Sequence, residues 1–246
     1  MNRGSIRSGD ERAVEPHRNA LTEARRVLDG CILFAGLSDQ ERAAIFARAR
    51  IRNVSPGEML FTIGSPGDHM MAVIHGTIRI SVPSSEGKEL LIAIIKPGEI
   101  VGELSVLDGH ERSADAKAAS ACTLAILDRR DILPFLDRNP STWPRLIKLL
   151  CQRLRQTDQI LAELALLELP VRLAKAMLRT VPTTDSTMRS PKVTLSQREL
   201  ANMVGATRES VNKCLRKWQR NGIVRMSEGA IYITNGPALA EVAEQS

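Results

Sequence analysis

Val101-Gly-Glu-Leu-Ser-Val-Leu-Asp-Gly-His-Glu-Arg-Ser113 is the most informative segment of this chain. A short Gly-Glu-Leu turn stands eight residues before an Arg-Ser pair. Folded into one small cup, the segment supplies free backbone N–H groups, the carboxylate of Glu103, the guanidinium of Arg112 and the hydroxyl of Ser113. A cyclic nucleotide needs such a set: donors and a fixed cation for its phosphate, and an acceptor for its ribose 2′-OH. A helix N-terminus backed by an arginine that grips two oxygens is a good anion site.

Outward from that segment, residues 30–130 read as short strands broken by Gly and Pro turns. Ser55-Pro-Gly-Glu, Gly64-Ser-Pro-Gly-Asp68, His75-Gly-Thr, Ser84-Ser-Glu-Gly-Lys88 and Lys96-Pro-Gly-Glu99 recur roughly every ten residues, with β-rich runs such as Met71-Ala-Val-Ile, Ile78-Arg-Ile-Ser-Val82 and Leu90-Leu-Ile-Ala-Ile-Ile95 between them. Regular turns between short strands indicate a compact β-barrel or jelly roll. Ser38-Asp-Gln-Glu41 is a capping box that opens a flanking helix to Ala49.

A long helix is expected from about Thr142 to Glu168. Ile147, Leu150, Leu154, Thr157, Leu161 and Leu164 step by three and four, which is a heptad seam. A helix of about 40 Å, at about 1.5 Å per residue, carries more apolar stripe than one barrel can cover. A parallel homodimer would bury it. Thr157 is the polar residue on that seam, with Asp158 beside it. Polar groups between coiled-coil strands cost stability unless bonded, so they set register or meet a ligand. Pro170 is placed to be the first residue of the next helix, which runs to about Thr180. The Leu169-Pro170 junction is therefore expected to be a hinge. A polar connector follows, Pro182-Thr-Thr-Asp-Ser-Thr-Met-Arg-Ser-Pro191.

Charge is spread unevenly. Residues 1–169 carry 22 Lys/Arg against 22 Asp/Glu, whereas residues 170–246 carry 12 against 6. The net +6 lies entirely in the last third, where a basic surplus is read as a nucleic-acid footprint. The same region holds a second capping box, Ser196-Gln-Arg-Glu199, opening a short helix from Gln197 to Val204. Gly205 supplies the turn, and Thr207 caps a second helix from Arg208 to Asn221. Helix, glycine turn, helix is the helix-turn-helix grammar. Val224-Arg-Met-Ser-Glu-Gly-Ala-Ile-Tyr-Ile233 reads as two strands around a Ser-Glu-Gly turn, a wing. Arg208, Glu209, Asn212 and Lys213 fall on one face of the second helix, at the end that enters the major groove, while Val211 and Leu215 point inward. Arg grips guanine O6/N7 in two places and Glu accepts from cytosine N4. Ser196, Gln197, Thr207 and Ser210 suit phosphate contacts, which position without specifying.

At 246 residues the chain has room for two cores. It holds no apolar run of eighteen residues and no signal-peptide pattern. Cys31, Cys122, Cys151 and Cys214 are isolated, which suits a reducing cytoplasm and offers no metal or iron–sulfur motif. Four scattered histidines make no cluster of the kind that phosphodiester hydrolysis uses, so no enzyme is expected. The anticipated order is a tail over residues 1–28 (loose to about residue 20), a β-roll over 29–140, a dimerisation helix over 141–169 and a winged helix-turn-helix domain over 170–246, an α+β chain.

From about Leu33 to Thr234 these motifs resemble, in order, the cyclic-AMP receptor protein family of the receptor protein and fumarate–nitrate regulator superfamily. The resemblance implies a cytoplasmic homodimer that binds cAMP, double-stranded DNA with a palindromic TGTGA-like site, and RNA polymerase. Carried over to this sequence, Gly102 offers a backbone contact, Leu104 completes the turn, Glu103 takes the ribose 2′-OH, and Arg112 and Ser113 hold the cyclic phosphate. Thr157 meets the base from the long helix, the neighbouring position, Asp158, reaches the same base from the second copy, and Arg208 and Glu209 are the base-reading pair. Two departures matter. The family's serine beside the threonine is Asp158 here, and aspartate accepts from guanine N1 and N2 as readily as from adenine N6, so the alternative is cGMP or another effector, or a regulator active without ligand. The third base reader is Lys213 in place of arginine, a point charge without the planar fork. Oxygen-sensing relatives need an N-terminal cysteine cluster that the tail lacks, and His69 or His75 would be the haem-ligand candidates of a haem sensor. Cys214 is either a small inward-facing residue or a redox-sensitive thiol.

Overall fold

The computed structural model describes residues 27, 30–31, 33–85, 88–181, 191–227 and 229–245. The expected tail to about residue 20 and most of the 182–191 connector lie outside them. By its internal contacts the chain divides into two compact units, residues 1–80 with 94–151, and residues 81–93 with 152–246.

The roll is made of two four-stranded sheets. Strand order in one is β1 (Arg50–Val54), β8 (Cys122–Asp128), β3 (His69–His75), β6 (Ile100–Val101); in the other it is β2 (Met59–Phe61), β7 (Asp115–Ala118), β4 (Ile78–Pro83), β5 (Glu89–Ile95). Pairings β1–β8, β3–β8, β3–β6 and β2–β7 are antiparallel. Met70 to Ile74 are all buried, because β3 lies mid-sheet and is covered on both faces. That explains its unbroken apolar run, which shows no period of two. Edge strand β1 is mostly exposed and carries Arg50 and Arg52, charges that discourage pairing with another chain.

Helix α1 (Asp39–Phe46) begins at the expected capping box: Glu41 N donates to Ser38 Oγ at 3.3 Å and Ser38 N to Glu41 Oε2 at 2.7 Å. It ends at Phe46, three residues before Ala49, since β1 starts at Arg50. Phe34 and Phe46 meet edge to face at 5.4 Å beneath the sheet, in a core with Leu33, Ile45, Ile100, Leu127 and Leu136. Helix α2 (Glu103–Asp108) follows β6 directly, and α3 (Arg129–Arg138) follows β8. The sequence reading did not find α3. Pro134 stands inside it, and an internal proline removes a hydrogen bond and disguises a helix.

After a 3-10 turn at Pro140–Thr142, α4 runs from Trp143 to Leu166, slightly shorter than the expected 142–168. Among its seam residues Ile147, Leu154 and Leu161 are 56 %, 62 % and 66 % exposed. Helix α5 (Leu169–Thr180) starts one residue before Pro170, so the proline is its second residue and not its first. Its missing N–H would be orphaned there in any case. Glu168, extended at φ −69° and ψ 156°, is the break between the two helices.

In the second unit, α6 (Gln197–Met203) and α7 (Arg208–Arg220) flank Gly205, which takes φ 61°. The wing strands β10 (Val224–Ser227) and β11 (Ala230–Ile233) pair as expected, and a two-residue strand β9 (Lys192–Val193) extends their sheet in the order β10-β11-β9. Helix α8 (Gly236–Glu244) packs on α5. Neither β9 nor α8 was anticipated. Ser196 Oγ accepts from Glu199 N at 3.3 Å while Glu199 Oε2 accepts from Ser196 N at 2.7 Å. Ser196→Ala is expected to cost this unit about 1 kcal/mol, read as a lower urea midpoint of its unfolding; an unchanged midpoint would deny the cap its role.

Candidate functional site

The cassette is built where β6 runs into α2. Gly102 closes the strand in a left-handed conformation, φ 82° and ψ 9°, and serves as N-cap of α2. A side chain there would be strained by that φ, and its Cβ would collide with Arg112 Nη1. Glu103 is 1 % and Arg112 2 % exposed. Arg112 Nη1 donates to Gly102 O at 2.8 Å and Nη2 to His69 O at 2.6 Å. Its Cζ lies 4.3 Å from the centroid of the Phe61 ring. Nε is also buried and has no hydrogen-bond partner among the described residues. The loop carrying Arg112 is stitched to the turn before β3, with Arg112 N donating to Ser65 O at 2.9 Å and Gly64 N to Arg112 O at 2.8 Å. Ser113 is exposed beside it, and Leu104 lies 44 % exposed on the first turn of α2.

Burial pulls the Arg112 guanidinium below its ordinary pKa, and the carboxylates of Asp68 and Glu103 oppose that shift. Asp68 is itself held below the usual carboxylate range, chiefly by its 2.7 Å hydrogen bond with His69 Nδ1. The cup thus has a buried cation whose two outer nitrogens are spanned between strand and turn carbonyls. Such a cation suits an anion that offers oxygens to a planar fork. Sequence reasoning found Gly102, Glu103, Arg112 and Ser113 but not Phe61 or the His69 carbonyl, which carry no local motif.

Thr157 and Asp158 are exposed on the part of α4 that groups with the second unit, and Thr157 Oγ1 donates to Arg153 O at 3.0 Å. In the reader helix, Arg208, Glu209 and Lys213 are exposed and Asn212 is half-buried, while Val211, Leu215 and Trp218 fill the opposite face. Thr207 caps α7, its Oγ1 accepting from Ser210 N at 3.1 Å and lying 2.9 Å from Ser210 Oγ. Gln197 does not present its amide outward: Nε2 donates to Met226 Sδ at 3.6 Å and Oε1 is buried. The amide tethers α6 to the wing. Burial pushes the half-buried Cys214 thiol up to about 11, so it stays protonated near neutral pH and lacks the thiolate that redox sensing uses. His69 is engaged by Asp68, and among the described residues no group of three or more His, Cys, Asp or Glu is placed to hold a metal ion. No described helix is long and apolar enough to cross a membrane.

Comparison with known proteins agrees with both halves. Residues 51–139 match the cyclic nucleotide-binding domain, and residues 171–242 match the Crp-like helix-turn-helix domain. A nucleotide-binding roll joined to a winged DNA reader defines a cyclic-nucleotide-binding transcription regulator. The chain is similar to the CRP-like cAMP-activated global transcriptional regulator of Mycobacterium tuberculosis, 29 % identical over 214 residues, covering 86 % of this chain and 96 % of that protein. It is 32 % identical over 216 residues to the cyclic AMP receptor protein of Thermus thermophilus, covering 88 % and 98 %. A solved transcriptional regulator of the CRP/FNR family from Thermus thermophilus superposes with a TM-score of 0.68 at 27 % identity, covering 80 % and 99 %. The chain belongs to the CRP/FNR family of transcriptional regulators. These relatives are regulators, not enzymes.

Proposed function

We propose that this chain is a cytoplasmic, homodimeric regulator that binds cAMP and then a palindromic, TGTGA-like DNA site, with RNA polymerase as a further partner and no catalytic activity. The observation that carries the reading is Arg112, a buried arginine spanned between the Gly102 and His69 carbonyls. In this reading Arg112 and Ser113 hold the cyclic phosphate, Glu103 takes the ribose 2′-OH, and Gly102 and Leu104 shape the turn. Thr157 and Asp158 meet the base, and the exposed heptad stripe of α4 is covered by a second copy. Residues 29–140 form the ligand domain, 141–169 the dimerisation helix and 170–246 the DNA-binding domain. The ligand acts by preferring the state in which two reader helices sit one DNA turn, about 34 Å, apart.

A second reading, cGMP as effector, is favoured by Asp158, whose carboxylate accepts from a guanine edge. Calorimetric titration of the purified protein with cAMP and then cGMP decides between them: tighter binding of cAMP supports the first, tighter binding of cGMP the second, and heat from neither sinks both.

At the DNA, Arg208, Glu209, Asn212 and Lys213 read bases, while Ser196, Thr207 and Ser210 line the phosphate side. The hydroxyls of Ser196 and Thr207 also cap helices, and Ser210 Oγ lies 2.9 Å from Thr207 Oγ1. Glu209→Ala is expected to cost about 1–3 kcal/mol of preference at one base pair of each half-site and to leave nucleotide affinity unchanged. Binding selection on randomised half-sites checks it; an unaltered base preference would remove Glu209 from the reading set.

A further inference from the structure

Between α4 and α5 the backbone leaves the helix only at Leu167 and Glu168. Leu167 N still donates to Glu163 O at 3.1 Å, and Glu168 O already accepts from Arg172 N at 3.1 Å. These bonds carry one helical ladder forward and the other back, so a single extended residue, Glu168, makes the corner. Three side-chain contacts then cross it. Both Nη atoms of Arg179 donate to the two oxygens of the buried Glu163, at 2.8 and 2.9 Å. Arg172 Nη1 donates to Leu164 O at 3.0 Å, satisfying one of the carbonyls that a helix C-terminus leaves open. Leu164 itself lies against the turn of the reader, where a Cβ at Gly205 would stand 2.9 Å from its Cδ2. The last residue of the heptad stripe therefore packs on the helix-turn-helix, while Leu154 and Leu161 stay exposed. Thr157 and Asp158 stand within about two turns of these contacts on the same helix, and all of these residues belong to the second compact unit.

We infer that the corner is a fixed elbow and not the hinge expected at Leu169-Pro170, with Glu163 and Arg179 as positioning residues that carry a displacement of Thr157 and Asp158 to the reader turn at Gly205. A hinge needs a few residues free to absorb a change in φ and ψ. Here that residue is Glu168 alone, and turning it breaks a bidentate pair, a capping bond and a packing contact together. Pro170 stiffens the first turn of α5, its ring fixing φ near about −65°. The part played by Thr157 and Asp158 rests on the proposed nucleotide reading; the stiffness of the corner does not.

Two measurements on the full-length protein test this. Hydrogen exchange of the ligand-free protein, resolved to single amides, reads the corner itself. The Leu167 and Arg172 amides are expected to exchange at least about a hundredfold more slowly than in a free peptide, and about tenfold faster in Glu163→Gln than in the parent. Free-peptide rates in the parent would mark a hinge and overturn the elbow. Fluorescence anisotropy on a duplex carrying a TGTGA palindrome, without nucleotide and with saturating cAMP, then cGMP, reads the transmission. Glu163→Gln and Arg179→Gln are expected to lose about tenfold of the nucleotide-driven gain in DNA affinity. A pair that only stabilises the unit would lower DNA affinity equally with and without nucleotide; an unchanged gain therefore overturns the positioning role. The swapped pair, Glu163→Arg with Arg179→Glu, rebuilds the bridge and is expected to recover gain over the single variants. A swapped variant with the parent's far-ultraviolet circular dichroism and no recovery also counts against the role. A parent with slow corner amides and no response to either nucleotide keeps the elbow but sinks the nucleotide reading, and the transmitting role with it.

Discussion

Replacing Arg112 with alanine is expected to abolish the ligand response while leaving weak, salt-sensitive DNA binding. The side chain is 2 % exposed and its outer nitrogens donate to Gly102 O at 2.8 Å and His69 O at 2.6 Å. Removing it takes away the cation proposed to hold the cyclic phosphate and leaves both carbonyls without that donor. Loss of two charge-assisted hydrogen bonds to the phosphate corresponds to roughly 3 kcal/mol or more, about a hundredfold in nucleotide affinity. Arg112→Lys separates charge from geometry, because lysine keeps the cation but not the planar fork that serves two carbonyls and an anion together. It is expected to fold like the parent and still bind nucleotide poorly. Calorimetry for the ligand, and an electrophoretic shift with and without cAMP, check both variants. A full response to cAMP in Arg112→Ala would sink the pocket assignment.

The second large effect is expected at the junction of α4 and α5. Arg179 Nη1 and Nη2 donate to Glu163 Oε1 and Oε2 at 2.8 and 2.9 Å, and Gln159 Nε2 adds a bond to Oε1 at 3.0 Å. Glu163 is 7 % exposed. Because the two oxygens face a planar fork, the pair fixes the angle at which α5 leaves the break at Glu168. Arg172 reinforces it, Nη1 donating to Leu164 O at 3.0 Å. Arg179→Ala leaves a buried carboxylate with only Gln159 for company and is expected to destabilise the second unit by about 3 kcal/mol. Replacing both partners, Glu163→Met with Arg179→Met, removes the stranded charge and is expected to cost far less. Urea unfolding of the full chain with Trp143 replaced by Phe, followed by Trp218 fluorescence, distinguishes them; equal losses in the single and double variants would show that burial of charge is not the cause.

Those two predictions draw unequally on the sequence. Gly102, Glu103, Arg112 and Ser113 are legible as a cluster because they lie within twelve residues and bear the chemistry themselves. Phe61 and the His69 carbonyl are not: one is an ordinary strand aromatic, the other a backbone group 43 residues from Arg112. Both capping boxes were legible, since Ser and Glu at that spacing do one thing. Helix α3 was hidden by Pro134, and the two-residue strand β9 is too short to show any period. Glu163 and Arg179 carry no local motif, and they meet only because the chain breaks at Glu168 between the two helices. Gln197 was read as facing DNA from its place in the motif, but the Met226 sulfur beside it in space takes its amide instead.

The anchoring of Arg112 bears on how fast and how selectively the cassette can work. A free arginine carries about 2 kcal/mol of rotamer entropy, which a ligand must otherwise overcome in ordering it. Here the Gly102 and His69 carbonyls and the Phe61 ring hold the guanidinium in place. Under the proposed reading, a cyclic phosphate would meet a cation already ordered by its protein contacts. A rigid fork also discriminates by shape, and an anion whose oxygens do not fit it gains nothing from the charge being near.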